Sequence, residues 1–192
     1  MMNKNRSPWV PPLDALPASL RPIVAMQKKH FGSVLNPTRW WGRFPYLFWL
    51  VALFVGFLER RRSGIDPIVR SLVMTRVSQQ CCCEFCIDAN SLRLAERSGS
   101  MDKVLAVANW REETLFTAKE QAALAYADAM TATPPNISDA LKDELKVHFD
   151  DKAITELTAL VAFQNLSARF NAALDIPAQG LCVTPTEKPP HV

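Results

Sequence analysis

Helix starts recur so often in this chain that little room is left for any other element. Asp66 stands before Pro67, Thr117 stands three residues before Glu120, Ser138 precedes DALKDELK, and Asp150 and Asp151 precede a long apolar run. A short polar side chain at such a position accepts hydrogen bonds from the unpaired amides of the first turn. Proline is preset for the first helical residue, and Thr117 with Glu120 makes a capping box. Behind Asp66, the residues Ile68, Leu72, Val73 and Val77 recur at helical spacing. The next helix spans about 83–97 and stops at Gly99, and Ser100 caps one through Asn109. Thr117 opens one through Met130, and TATPPNIS links it to the helix capped by Ser138. The last and longest helix carries Ile154, Leu157, Leu160, Val161, Leu166 and Phe170 on its expected apolar face. The sequence shows no period-two alternation, internal repeat or low-complexity tract. The fold class is therefore all-α, with about eight helices.

Ahead of these helices, residues 8–22 carry five prolines and lead in extended form into a short helix ending at Gly32, and 36–45 reads as a loop. A chain of 192 residues can bury one ordinary core without dividing. The expected organisation is an extended arm over 1–16, one helical domain over 17–178, and a flexible tail over 179–192, where Pro185, Pro189 and Pro190 fall. The run FPYLFWLVALFVGFL, 44–58, is apolar on every side. As a helix it reaches roughly 22 Å, short of the roughly 30 Å hydrocarbon layer, and Pro45 and Gly56 fall inside it. It is expected to be buried in the core or in an interface between subunits, and no membrane partner is expected.

The 22 basic and 19 acidic residues are scattered and leave a net charge of only +3, which excludes the electrostatic footprint of a nucleic-acid binder. The cluster of Arg60, Arg61 and Arg62 reads as a solvated helix end. The start, MMNKNRSPWVPP, lacks the apolar middle of an export signal, so a reducing, cytoplasmic setting is expected.

In that setting the stretch QQCCCEFCIDAN places four of the five cysteines in six positions. Cys83 and Cys86 share one face of the expected helix, about 5–6 Å apart at Cβ, and a small adjustment in the first turn lets them close to a disulfide. The amides and dipole of a helix start favour thiolate over thiol. The spacing is open to three readings: a reversible dithiol, inert packing, or a metal site. Zinc would want four ligands, and neither a second cysteine pair nor a neighbouring histidine is at hand, so no metal and no cofactor are expected. Cys81, Cys82 and Cys182 carry no assigned role.

The stretch SLVMTRVSQQCCCEFCIDAN, 71–90, resembles the signature of the alkylhydroperoxidase D and carboxymuconolactone decarboxylase family. That signature runs as a glutamate, LVxLRVSQLNG, C-x-Y-C, and a histidine four residues after the second cysteine. The likeness continues through WREETLFTAKEQAALAYADAMTATPPNISDAL and HFDDKAITELTALVAFQNLSARFNAAL and covers about residues 65–178. The resemblance implies an all-helical fold and a homo-oligomer, trimer or hexamer. It further implies thiol-dependent reduction of hydroperoxides or disulfides, with an external dithiol or disulfide partner as electron donor. In it, Cys86 is the attacking thiol, one helical turn from the family's histidine position, and Cys83 is its partner. The pattern departs at two places: Ser71 stands where the family has its relay glutamate and Asn90 where it has histidine. Neither takes up a proton near neutral pH, though the Asn90 amide is expected to donate a hydrogen bond to the thiolate. Ser71, Cys83, Cys86 and Asn90 are thus the site residues, with weak activity expected. Glu84, Asp88 and His148 are considered as substitute bases, and Trp40, Trp41 and Trp49 as pocket walls.

Two alternatives remain. One is an oligomeric binding protein whose catalysis has lapsed, favoured by the missing relay and by the apolar 44–58 run. The other is a lyase acting on a lactone acid, for which Arg76 and Arg169 are candidate carboxylate binders by residue type alone.

Overall fold

The computed structural model describes residues 8–182. The first seven residues of the expected arm and the tail from 183 onward lie outside them. Among the described residues nine α-helices follow in chain order: α1 (Arg21–Phe31), α2 (Thr38–Trp41), α3 (Pro45–Leu58), α4 (Pro67–Gln80), α5 (Glu84–Ser98), α6 (Met101–Ala106), α7 (Ala118–Thr131), α8 (Asp139–His148) and α9 (Asp151–Ala173). Short 3-10 turns, Ala18–Leu20 and Val107–Glu112, precede α1 and extend α6. The fold is all-α, with no strand among the described residues.

The caps act where the sequence places them. Asp66 accepts from the Ile68 amide, Ser100 from Lys103, Ser138 from Leu141, and Asp150 from Ala153. Thr117 and Glu120 bond reciprocally as a capping box. Gly32 and Gly99 close α1 and α5 with φ of 75° and 66°, a left-handed conformation that side chains with a Cβ resist.

α4 is the centre, buried on nearly every side and packed on α5, α7 and α9. Its Val69, Val73, Met74 and Val77 meet Ala123 and Ala127 of α7 and Leu157, Leu160 and Val161 of α9. Arg70, buried among them, donates to the Leu58 carbonyl and so holds the end of α3 against α4. Arg60, Ser63 and the Gly64 amide converge on the Glu156 carboxylate and tie the α3–α4 connection to α9. These bonds fix the angle at which α3 lies over the site.

Three expectations need correction. The expected loop 36–45 contains α2, a turn of helix held by the Trp41 amide on the Pro37 carbonyl and by the buried Thr38 hydroxyl paired with Gln27. The apolar face expected of α9 holds at Ile154, Leu157, Leu160, Val161 and Phe170, which are buried or half-buried, and fails at Leu166. Leu166 is 53% exposed, whereas Ala153, Leu157, Leu160, Gln164, Ala168 and Asn171 face inward. The inward stripe includes two amides because one side of α9 walls the site. Finally, of the two places expected for the 44–58 run, the core of one chain is not where most of α3 lies: only Phe48 and Leu58 are buried, while Tyr46 is 90% and Leu53 68% exposed. No helix among the described residues is long and apolar enough to cross a membrane.

Candidate active site

The cysteine cluster is built by the way α4 ends. The Cys83 amide reaches back to the Ser78 carbonyl and the Cys82 amide to Gln79, with Cys82 left-handed at φ 52°. This is a Schellman stop with cysteine in the place usually held by glycine. It turns the chain so sharply that Cys83, the last residue of the stop, is also the N-cap of α5. Its sulfur accepts the Cys86 amide at 3.2 Å, the bond a serine oxygen would ordinarily take. Cys83 is fully buried and Cys86 is 4% exposed, while Cys82 faces solvent. Cys81, Cys82, Cys83 and Cys86 are all reduced thiols.

Cys86 is held from the far side by α9. The Asn171 amide donates to its sulfur at 3.3 Å, and the Trp41 indole donates to the other end of that amide at 3.2 Å. Trp41 in turn stacks on Phe170 at 3.8 Å between ring centres. The indole can only donate, so it fixes which end of Asn171 faces the thiol. The Cys86 thiol lies below the ordinary range. A hydrogen bond from Cys83 is the largest cause, burial opposes it, and Asn171, Gln164 and Ser167 add to the stabilisation. Cys83 moves the opposite way, raised by the same hydrogen bond and then by burial. The pair is thus unequal: the hydrogen bond between the two sulfurs favours the thiolate on Cys86 and the thiol on Cys83.

Cys86 opens onto a cavity of about 400 Å³ between α1, α3, α5 and α9. Its walls are mostly apolar: Met26, Phe31, Trp41, Val51, Val55 and Phe163. Neither a histidine nor a carboxylate is among the described residues that line it. Among the described residues no group of three or more His, Cys, Asp or Glu is arranged to hold a metal ion.

Of the site residues read from sequence, Cys83, Cys86 and Asn90 come together. Asn90 lines the cavity one turn beyond Cys86, but its amide donates to the Ser78 hydroxyl at 3.0 Å and not to the thiolate. Gln164 donates to the same hydroxyl at 3.0 Å, and that hydroxyl donates to the Met74 carbonyl. Asn171 supplies the thiol bond that was expected of Asn90. Ser71 is not with the thiols: it lies two turns earlier on α4 and accepts from Arg97, which also pairs with Glu59.

The substitute bases are also placed elsewhere. The Asp88 carboxylate is taken up by the backbone amides of Gln179, Leu181 and Cys182. His148 pairs with Glu144 on α8, and neither it nor Glu84 lines the cavity. Arg76 is engaged by Asp128, and Arg169 by Asn165 and the Thr131 carbonyl, so neither faces the cavity. Trp41 alone of the three tryptophans lines it. Trp40 packs on the cysteine cluster and Trp49 edges against Phe48.

Sequence reasoning missed Asn171, Gln164, Ser78 and Arg93. Arg93 is seven residues after Cys86, on the same face of α5, and that spacing was the signal that could have found it.

A sequence model of the Carboxymuconolactone decarboxylase family matches residues 45–129, which include both site cysteines. The chain is 56% identical over 179 residues to the uncharacterized protein YnjA of Escherichia coli (strain K12), covering 93% of this chain and 98% of the relative. Among solved structures, it is similar to an uncharacterized peroxidase-related protein from Silicibacter sp. TM1040, with TM-score 0.79 and 21% identity, over 92% of this chain and 94% of that one. It is also similar to the debrominase Bmp8, with TM-score 0.75 and 21% identity, over 85% and 88% of the two chains. At those identities the two structures speak to the fold.

Proposed function

Since this chain belongs to the carboxymuconolactone decarboxylase family and has the alkylhydroperoxidase D-like helical fold, we propose that it is a dithiol hydroperoxide reductase in which Cys86 attacks and Cys83 resolves. The observation that carries the reading is the unequal pair at the start of α5. Cys86 is stabilised as thiolate by Cys83 and Asn171, at the wall of an apolar cavity large enough for an organic substrate. Attack of the Cys86 thiolate on the terminal peroxide oxygen breaks the O–O bond, leaving a sulfenic acid on Cys86 and an alkoxide that takes up a proton. The Cys83 thiol then condenses with the sulfenic acid, forming the S–S bond and releasing water. An external dithiol, oxidised in exchange, returns both cysteines to thiols. Neither a histidine nor a carboxylate lines the cavity to take up the Cys86 proton, and this agrees with slow turnover. Reduced protein mixed with one equivalent of cumene hydroperoxide should lose two thiols and show a Cys83–Cys86 linkage by mass mapping. Thiol loss no faster than that of free cysteine would sink the proposal.

The outward face of α3 fits the homo-oligomer in this reading, because exposed Tyr46, Leu50, Leu53 and Phe57 make a continuous apolar strip that a partner copy would cover. Light scattering should then give a multiple of the 21.5 kDa chain mass. Leu50→Lys with Leu53→Lys should reduce it to that of one chain, and a wild-type mass equal to one chain would refute the assembly.

A further inference from the structure

Of the described residues lining the cavity, Arg93 alone is charged. The other polar groups there are largely committed to each other. Asn90 and Gln164 bond Ser78, Gln27 bonds Thr38, and Asn171 bridges Trp41 and Cys86. Arg93 differs: its closest carboxylate oxygen, Glu59 Oε1, is 3.7 Å away, beyond hydrogen-bond reach, and it has no hydrogen-bond acceptor among the described residues. That same Glu59 oxygen is buried without a hydrogen-bond partner, while the other oxygen is held by Arg97. Glu59 is shared by Arg70, Arg93 and Arg97, and the second carboxylate near Arg93, Glu96, sits on the exposed side of α5. The Arg93 side chain is 34% exposed, so its guanidinium sits where the apolar wall meets solvent, and an anionic group on an occupant of the cavity can reach it without being buried alone. One wall of the cavity therefore carries a positive charge that Glu59 meets only in part, facing the Cys86 sulfur across the cavity.

The position of Arg93 relative to Cys86 sets the shape of the occupant. Residues 86, 90 and 93 share a face of α5, and seven residues of helix rise about 10 Å. Helical side chains lean back toward the amino terminus, which brings the guanidinium closer to the thiol than that rise.

We propose that the cavity selects an apolar organic hydroperoxide bearing a carboxylate, with the carboxylate on Arg93 and the peroxide on Cys86. The selection rests on the peroxidase reading for its chemistry but not for its binding. Reaction follows the steps given above: the peroxide loses its terminal oxygen to Cys86 and leaves as the alcohol, and the carboxylate is unchanged.

The test separates the two ideas by using inert probes first. Calorimetric titration of the wild-type protein with octanoate and with 1-octanol compares equal chains with and without the charge. Octanoate should bind at least about tenfold more tightly, as a charge-assisted hydrogen bond predicts. Arg93→Gln should remove that preference by bringing octanoate affinity down toward that of 1-octanol, and Arg93→Lys should retain part of it. Equal affinity for the two probes in wild type, or a preference for octanoate that survives Arg93→Gln, overturns the proposal without reliance on any variant's folding or on catalysis. Cumene hydroperoxide and its ring-carboxylated analogue then supply the kinetic arm, where kcat/KM should favour the carboxylate by a similar factor and lose that bias in Arg93→Gln. Octanoate preference with neither hydroperoxide reduced would support the site and remove the peroxidase reading. Both hydroperoxides reduced at equal kcat/KM would support the peroxidase reading and overturn the selection.

Discussion

Cys86→Ser should abolish hydroperoxide turnover, by at least roughly three orders of magnitude, whereas Cys83→Ser should permit one round that halts at a sulfenic acid. The two outcomes differ because the two sulfurs do different things. A serine hydroxyl at position 86 can still accept the Asn171 amide, so the fold has no reason to suffer, but it is not ionised at working pH and cannot attack the peroxide oxygen. Serine at position 83 is, if anything, the better N-cap for α5, since its oxygen takes the Cys86 amide and its hydroxyl can still donate to the Cys86 thiolate. What Cys83→Ser lacks is the thiol that condenses with the sulfenic acid. A dimedone trap should therefore label Cys86 in Cys83→Ser after stoichiometric peroxide and label nothing in Cys86→Ser. If label and turnover followed position 83, the assigned roles would have to be exchanged.

Where a feature depends on neighbours within a few residues, it was legible in the sequence. The caps at Asp66, Thr117, Ser138 and Asp150, the stop at Gly99 and the shared face of Cys83 and Cys86 are all local geometry. The parts that escaped depend on contacts across the fold. Asn171 is 85 positions from the thiol it holds, and no spacing rule connects them. Its helix misled for a related reason. The inward stripe of α9 includes Gln164 and Asn171 beside Leu157, Leu160 and Val161, so hydrophobicity alone passed over the two amides and picked Leu166 instead. Asn90 was placed correctly on the face of Cys86. Its partner was not foreseen, because the Ser78 hydroxyl approaches from α4, on the other side of the turn. The 44–58 run was apolar all round, but composition does not say which side a chain covers by itself and which it leaves for another.

The dependence on Asn171 leads to the second large effect. Asn171→Asp keeps nearly the same shape and can still accept from the Trp41 indole, so the side chain stays anchored. The atom facing Cys86 changes from a donating nitrogen to an oxygen that is negatively charged near neutral pH. Thiolate forms as pH rises through the folded-state pKa of Cys86, and the wild-type value lies below the ordinary thiol range, chiefly through Cys83 and with help from Asn171. Losing a hydrogen bond to the charged form and adding a like charge both push that value up. At neutral pH the peroxide reaction should slow by about tenfold to a hundredfold, the range set by one charge-assisted hydrogen bond. A more basic thiolate is the stronger nucleophile, so the deficit should close as pH rises until Cys86 ionises in both proteins. Rate against pH, read beside thiolate absorbance, distinguishes this from mere damage. Curves that converge at high pH and midpoints displaced upward in both measurements assign Asn171 a role in holding the charge. A rate lowered equally at every pH, with an unmoved absorbance midpoint, would mean that Asn171 only packs and that the activation of Cys86 comes from Cys83 and the start of α5.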